Sequence, residues 1–174
     1  MLNGATRNVI EVFNFGANQI EKEFGAGAAR IIDVRLLDEN GQAYRFITGG
    51  EIADLVIDAE VLEFIQAPIF GFYIKDRLGQ KLFGDNSYLN YRDDPWDAEP
   101  GTRLRAHFRF RMPVLPNGEY SVDAALATGT QESHTQQHWI HDALAFTASE
   151  STMRHGLVGI PMHVIEIERI GGGR

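Results

Sequence analysis

The sequence predicts an all-β fold, an antiparallel β-sandwich, from three observations. Glycine and proline, with 18 and 6 residues, interrupt the 174-residue chain at short intervals. Most segments between these interruptions alternate apolar and polar side chains, which is the period of a strand with one buried face. No segment shows a convincing helical period. About eight strands separated by turn residues favour two packed antiparallel sheets.

The first predicted strand, Val9 to Phe15, is separated from the rest of the chain by Gly16 and Gly25-Ala26-Gly27. A detached edge element of this kind could pair with a second copy of the chain. We therefore expect three parts: an N-terminal edge strand and linker at 1–27 that a dimer could exchange, a sandwich at 28–170, and a flexible tail at 171–174.

The next strands are predicted from alternation between turns. Ile32, Val34 and Leu36 form the expected buried side of one strand, which ends at the turn 38–41. Three later segments repeat the pattern, with these side chains at alternate positions: Tyr44, Phe46 and Thr48; Leu55, Ile57, Ala59 and Val61; Phe70, Phe72 and Ile74.

The clearest strand is 103–112, because its two faces differ completely in chemistry. One face carries Leu104, Ala106, Phe108, Phe110 and Met112, and the other carries Arg103, Arg105, His107, Arg109 and Arg111. Asn117-Gly118 supplies the positive φ of a tight hairpin. The return strand places Tyr120, Val122, Ala124 and Leu126 inward and Asp123 outward.

Two late strands are expected at 138–146 and 157–169. The segment 85–101, which precedes the strand at 103–112, is the least regular part of the chain, and it is both polar and aromatic. This combination is typical of a surface loop with a function.

Composition excludes several classes of protein. The chain has no cysteine, so it is not a zinc ribbon, an iron–sulfur protein or a disulfide scaffold. The net charge of -8 argues against nucleic-acid binding, which needs a basic surface. The chain contains no apolar run of about 20 residues, no secretory signal pattern, no phosphate loop and no Gly-x-Ser-x-Gly motif. The lack of cysteine fits the cytoplasm, and the lack of these motifs leaves enzyme activity unsupported.

His134, His138, His141 and Asp142 raise the question of a metal site. In a strand, His134 and His138 lie about 13 Å apart, too far to share an ion. None of the six histidines stands in a His-x-His or His-x-Asp/Glu pair. We therefore expect no metal and no cofactor. A sugar-modifying or cupin-like enzyme is the alternative, and bound metal would favour it.

A ligand surface is suggested by the strand around position 139. Trp139 and His141 face away from the apolar Ile140 in a regular ladder, beside the arginine-rich face of 103–111. Aromatic rings stack on sugar C–H faces, and planar polar groups bond to hydroxyls. The alternative is that Trp139 belongs to the core and that the arginines only pair with Asp123 or other carboxylates.

Three segments, in this order and spacing, resemble one known family. They are PIFGFYIKDRLGQKLFGDN at 68–86, LPNGEY at 115–120 and HWIHDA at 138–143. The chain resembles the C-terminal domain of Wzt, the nucleotide-binding subunit of bacterial O-antigen polysaccharide ABC transporters, from about Ala28 to about Arg169. Asp85 is a small departure, since the family often has Thr before the Asn.

The resemblance implies an immunoglobulin-like β-sandwich that recognises the exported polysaccharide and has no catalytic role. It also implies a cytoplasmic location, an attached ATPase domain that docks on the inner-membrane channel, and a dimer. The ATPase motifs are missing here, so the resemblance implies an isolated recognition domain. Glycan specificity varies between members, so no particular sugar follows.

Strand alternation and the resemblance together predict a glycan-binding sheet face for a lipid-linked O-polysaccharide. Its expected residues are Tyr73, Arg105, His107, Arg109, Asp123, Trp139 and His141. Trp139 is expected to stack on a sugar ring, the arginines to donate hydrogen bonds, and Asp123 to accept them. The second hypothesis is an interaction module that dimerises transporter subunits through the apolar first strand, with no direct glycan contact.

Overall fold

A computed structural model describes residues 9–13, 23–44, 46–149, 151 and 156–160. Strands account for nearly all of the regular structure in these residues. They are β1 (Val9–Phe13), β2 (Glu23–Phe24), β3 (Ala29–Leu37), β4 (Phe46–Ile47), β5 (Ile52–Val61), β6 (Ile65–Gln66), β7 (Pro68–Asp76), β8 (Lys81–Asn86), β9 (Asp97–Ala98), β10 (Arg103–Arg111), β11 (Gly118–Gly129) and β12 (His134–Ser149), with the helical turn α1 (Tyr88–Tyr91) after β8.

Two antiparallel sheets form the sandwich. The large sheet has the order β4-β1-β12-β11-β7-β8, with β2 also paired to β12, and the small sheet has the order β10-β5-β3. A short third pair joins β6 to β9. The predicted all-β, antiparallel sandwich is therefore confirmed.

Alternate side chains of the two sheets meet in one core. Phe72 of the large sheet packs against Phe108 and Phe110 of the small sheet, with ring centroids 5.0 and 5.8 Å apart. The neighbours of Phe72 in sequence, Gly71 and Tyr73, therefore lie on the opposite, outer face of the large sheet. The outer faces of the two sheets point away from each other.

Tyr120 marks the fold as immunoglobulin-like. Its hydroxyl donates a hydrogen bond of 2.6 Å to the carbonyl oxygen of Pro116, four residues upstream. This is the tyrosine corner found near the start of a strand in immunoglobulin-like sandwiches. Burial, followed by the nearby charge of Asp76, raises the pKa of the Tyr120 hydroxyl above its ordinary value.

Replacing Tyr120 with phenylalanine should lower the free energy of unfolding by about 1 kcal/mol, because the Pro116 carbonyl loses its donor. Urea denaturation measures the change. Tyr91→Phe is the control, because that ring is 49% exposed. A loss for Tyr120→Phe no larger than that of the control would contradict the role of the tyrosine corner.

A bulge in β3 makes the predicted burial of Ile32 wrong. Ile32 was expected to be buried, but it is 44% exposed, and Ile31 is buried in its place. The register between β3 and β5 shifts between Ile31 and Asp33. Such a bulge inserts one residue into the alternation, so the side chains before it change face. Val34 and Leu36 are buried as expected.

The chain ends are described only in part. The first strand pairs with β12 and β4 of the same chain, and its exchange in a dimer stays a prediction. The late strand at 138–146 is confirmed within β12. Of the strand predicted at 157–169, the described residues 157–160 form only an isolated bridge from Gly159 to Val114. Residues 161–169 and the predicted tail lie outside the described residues.

Candidate functional site

The structure divides the seven predicted site residues between the two outer faces. Four lie on the large sheet: Tyr73 on β7, Asp123 on β11, and Trp139 and His141 on β12. Three lie on the small sheet: Arg105, His107 and Arg109 on β10. The expectation that all seven share one face is therefore wrong. The reason is that β10 pairs with β5, and not with the strands that carry the other four.

The small-sheet arginines are paired with carboxylates. Arg105 donates to both oxygens of Asp58 at 2.6 and 2.8 Å, and Arg109 donates to both oxygens of Asp54 at 2.7 Å. Each pair lies directly across the β10–β5 ladder. His107 Nε2 lies 3.0 Å from Asp54 as well. Arg105 and Arg109 thus pair with carboxylates, as the alternative expected, and the partners are Asp58 and Asp54.

These ion pairs should make the free energy of unfolding depend on pH in the acid range. The hydrogen bond from Arg109 holds the pKa of Asp54 below its ordinary value, although burial opposes it. A carboxyl whose pKa is lower in the folded state stabilises fully above its unfolded pKa, about 3.9, and this contribution is lost as pH falls through the folded pKa.

Asp54→Asn should therefore reduce the loss of stability below about pH 4, relative to the wild type. Urea midpoints across the acid range measure this slope. The exposed Asp93→Asn change, at a position with 87% side-chain exposure, is the control. Identical slopes for wild type and Asp54→Asn would contradict the prediction.

Three rings form a row on the outer face of the large sheet. Phe24 and Trp139 have ring centroids 6.0 Å apart and planes 14° apart, and Tyr73 and Trp139 have centroids 6.0 Å apart and planes 28° apart. We call Phe24, Trp139 and Tyr73 the aromatic row. Trp139 is half-buried on the outer face, so the alternative that it belongs to the core is wrong.

Sequence reasoning missed Phe24, because two residues of β2 are too short to show alternation. The residue of the sequence that could have pointed to Phe24 is Gly25, where β2 approaches β12. A Cβ at Gly25 would lie 2.1 Å from the carbonyl oxygen of Gln137, so this position needs glycine. The close approach holds Phe24 opposite Trp139 in the ladder. Lys81 was also missed, and its Nζ lies 3.8 Å from the centroid of the Tyr73 ring.

A depression of about 260 Å³ adjoins the aromatic row, and we call it the Trp139 depression. A continuous cross-strand line runs from Trp139 through Ala125 and Gly71 to Asn86. The two small residues form a low floor between an indole and an amide, because they present no bulky side chain. Further polar side chains line it: Asp85, Gln131, His134 and Gln136.

Asp123 is buried beneath this face, with 2% of its surface exposed. Lys75 Nζ lies 2.6 Å from its Oδ1, the backbone N–H of Asp142 donates to the same oxygen at 3.0 Å, and His141 Nδ1 lies 3.0 Å from Oδ2. Burial by itself lowers the pKa of Lys75, but the hydrogen bonds and charges of Asp123 and Asp142 raise it overall. Asp123 therefore holds protein groups and is not presented to solvent.

A bulge in β12 explains this burial. Val122 pairs with Leu144 and Ala124 pairs with Ile140, so three residues of β12 lie opposite Asp123 alone. Asp142, in the bulge, has a φ of 52°. The carboxylate of Asp123 thus anchors the distorted segment that carries His141.

The ring of His141 links Asp123 to the aromatic row. His141 Nδ1 lies 3.0 Å from Asp123 Oδ2 and 3.2 Å from the indole nitrogen of Trp139. One nitrogen cannot donate to the carboxylate and accept from the indole at once. We assign the proton to Nδ1, because the carboxylate can only accept. The indole N–H of Trp139 is directed at this side of the His141 ring, so the two rings keep a fixed arrangement on the outer face.

Two features that would indicate other functions, a metal centre and a membrane span, are absent from the described residues. Among the described residues, no group of three or more His, Asp or Glu side chains is arranged to hold a metal ion. Within the same part of the chain, no helix is long and apolar enough to span a membrane.

The fold and this surface together define a β-sandwich domain with a ring-bearing polar face on one sheet. A model of the family described as the Wzt C-terminal domain matches residues 20–160. The chain belongs to this family, which implies a role in an O-antigen ABC transporter. A solved structure described as the crystal structure of the C-terminal domain of wzt is similar in fold, with a TM-score of 0.72 and 20% identity, over 83% of this chain and 87% of that one. No curated protein matches the chain.

Proposed function

We propose that the domain binds O-antigen polysaccharide without catalysis, so that an ABC transporter can export it. The observation that carries this proposal is the aromatic row beside the Trp139 depression. Sugar rings present apolar C–H faces together with hydroxyl groups, so they suit a surface that offers rings and polar groups side by side. The family's place in an O-antigen transporter supports the same ligand.

In this proposal Trp139 and Tyr73 stack on the glycan. Asn86 supplies an amide group across the depression, and Gln136 supplies its amide oxygen, because its amide nitrogen donates to the backbone carbonyls of Leu126 and His138. Asp123 acts through His141 and holds the face in shape. Three predicted residues, Arg105, His107 and Arg109, are left out of the glycan site, because they face the other side and contact Asp58 and Asp54.

The proposed partners follow from the same role. The glycan is lipid-linked, and the domain works beside the ATPase domain of its own subunit and the membrane channel of the transporter, as a homodimer. This assigns it to the cytoplasm, peripheral to the inner membrane.

Isothermal titration of the purified domain tests the proposal. The probe is O-polysaccharide released by mild acid from cells that carry the gene, with dextran as the control glycan. We expect saturable binding to the O-polysaccharide and none to dextran. Absence of binding to both, by a domain shown to be folded by circular dichroism, would overturn the proposal.

Dimerisation is a second candidate role, favoured by the position of β1. This strand pairs along its whole length with the last residues of β12, from Val9↔Ser149 to Phe13↔Ala145. The same ladder could be completed by the first strand of a second copy. Deleting residues 1–16 and measuring the mass in solution tests this role: a monomer is expected, and an unchanged dimer would contradict it.

A further inference from the structure

The segment between β8 and β9 forms a second recess that contains aromatic rings. It measures about 140 Å³ and has a mostly apolar lining that includes Pro68, Tyr88, Tyr91 and Trp96. The rings of Tyr91 and Trp96 meet edge to face, with centroids 6.4 Å apart. We call this the Trp96 recess. Tyr91 is 49% exposed and Trp96 is 41% exposed, so both rings are accessible to a ligand.

Hydrogen bonds hold this segment to the sandwich at both ends. Ser87 and Phe70 exchange two bonds, one from each backbone N–H, at 2.9 and 3.0 Å. At the other end, the backbone N–H of Ala67 donates to the carbonyl oxygen of Trp96 at 3.1 Å, and β6 pairs with β9. The recess is therefore formed before any ligand arrives, which lowers the entropic cost of binding.

The Trp96 recess adjoins the Trp139 depression. Ile69 and Thr130 line both of them. Asn86, on the rim of the depression, also accepts a hydrogen bond of 3.0 Å from the backbone N–H of Tyr88, which lines the recess. A ligand longer than the depression would therefore continue into the recess.

We propose that the Trp96 recess is a second saccharide subsite, which binds sugar residues of the same polysaccharide chain next to those held on the aromatic row. This inference rests on the proposed function. In this subsite the rings of Tyr91 and Trp96 stack on the C–H faces of the sugar. The exposed guanidinium of Arg92, at the rim of the recess, donates hydrogen bonds to sugar hydroxyls. Because the two subsites share a wall, they bind neighbouring parts of one chain.

The test compares ligand lengths. The O-polysaccharide from cells that carry the gene is cut to a single repeat unit and to chains of several repeats, and each is titrated into the domain. Trp96→Ala should weaken binding of the longer chains by about tenfold and leave the single repeat nearly unchanged, because Trp139 still holds it. Tyr91→Ala should do the same to a smaller extent. Leu89→Ala is the control, since Leu89 is 70% exposed on α1 and does not line the recess.

Each outcome separates the two proposals. If the wild type binds no length of chain, the proposed function fails, and this inference fails with it. If the wild type binds and Trp139→Ala weakens it, but Trp96→Ala and Tyr91→Ala both match Leu89→Ala on the longer chains, the second subsite is wrong and the proposed function stands. Equal weakening of short and long chains by Trp96→Ala would also overturn a separate subsite. Thermal melting confirms that each variant is folded.

Discussion

Replacing Trp139 with alanine is expected to weaken binding of the O-polysaccharide about 30-fold or more. Interface residues that dominate binding cost about 2 kcal/mol or more when truncated, and each 1.4 kcal/mol is a factor of about ten. Trp139 has the position of such a residue. It lies at the centre of the aromatic row and at one end of the line to Asn86.

Arg105→Ala is the matched comparison for Trp139→Ala. Both residues project outward from a strand, but they lie on opposite faces of the sandwich. Asp58 keeps a partner in this variant, because Arg35 also contacts it at 2.6 Å. Isothermal titration with the single repeat unit should show wild-type affinity for Arg105→Ala, because this short ligand lies on the aromatic row and Arg105 lines a different recess, shared with Trp96. A loss for Arg105→Ala that equals the loss for Trp139→Ala would contradict the assignment of the glycan to the large sheet.

Asp123→Ala is expected to have the largest effect on stability, a loss of about 3–5 kcal/mol in the free energy of unfolding. The substitution removes the nearer of the two carboxylates that neutralise Lys75, whose side chain is 12% exposed, and leaves only Asp142 at 3.2 Å. It also removes the acceptor for the backbone N–H of Asp142 in the β12 bulge. A buried cation that loses its nearer carboxylate, together with a buried donor that loses this acceptor, costs more than the pair contributes as a whole.

Urea denaturation measures this loss, and a double substitution provides the control. Lys75→Met combined with Asp123→Leu replaces the ion pair by apolar groups, so it should be more stable than Asp123→Ala alone. Asp123→Ala should also bind O-polysaccharide more weakly than the wild type does, because His141 loses the carboxylate that orients its ring. A cost below about 1 kcal/mol, which is ordinary for an exposed ion pair, would contradict the role of Asp123 as a buried anchor.

The strand prediction succeeded where the signal was local. The alternation over 103–111 placed every arginine of β10 outward, and the structure has Leu104 buried and Arg105 exposed. The prediction failed at Ile32, because a bulge depends on how β3 pairs with β5 and leaves no mark in the period of one strand. Phe24 was missed for a related reason, since its place beside Trp139 follows from pairing between distant segments.

The sequence by itself determined that the chain folds into an antiparallel sandwich, which side chains of its long strands point outward, and which family it resembles. These properties follow from the two-residue period of a strand and from residues close together in the chain. The tertiary structure alone decided which outward side chains meet. It placed Trp139 with Tyr73 and Phe24, set Arg105 on the opposite face, and buried Asp123. The physical reason is that sheet order and register depend on hydrogen bonds between segments that are far apart in the chain, which no local pattern of residues specifies.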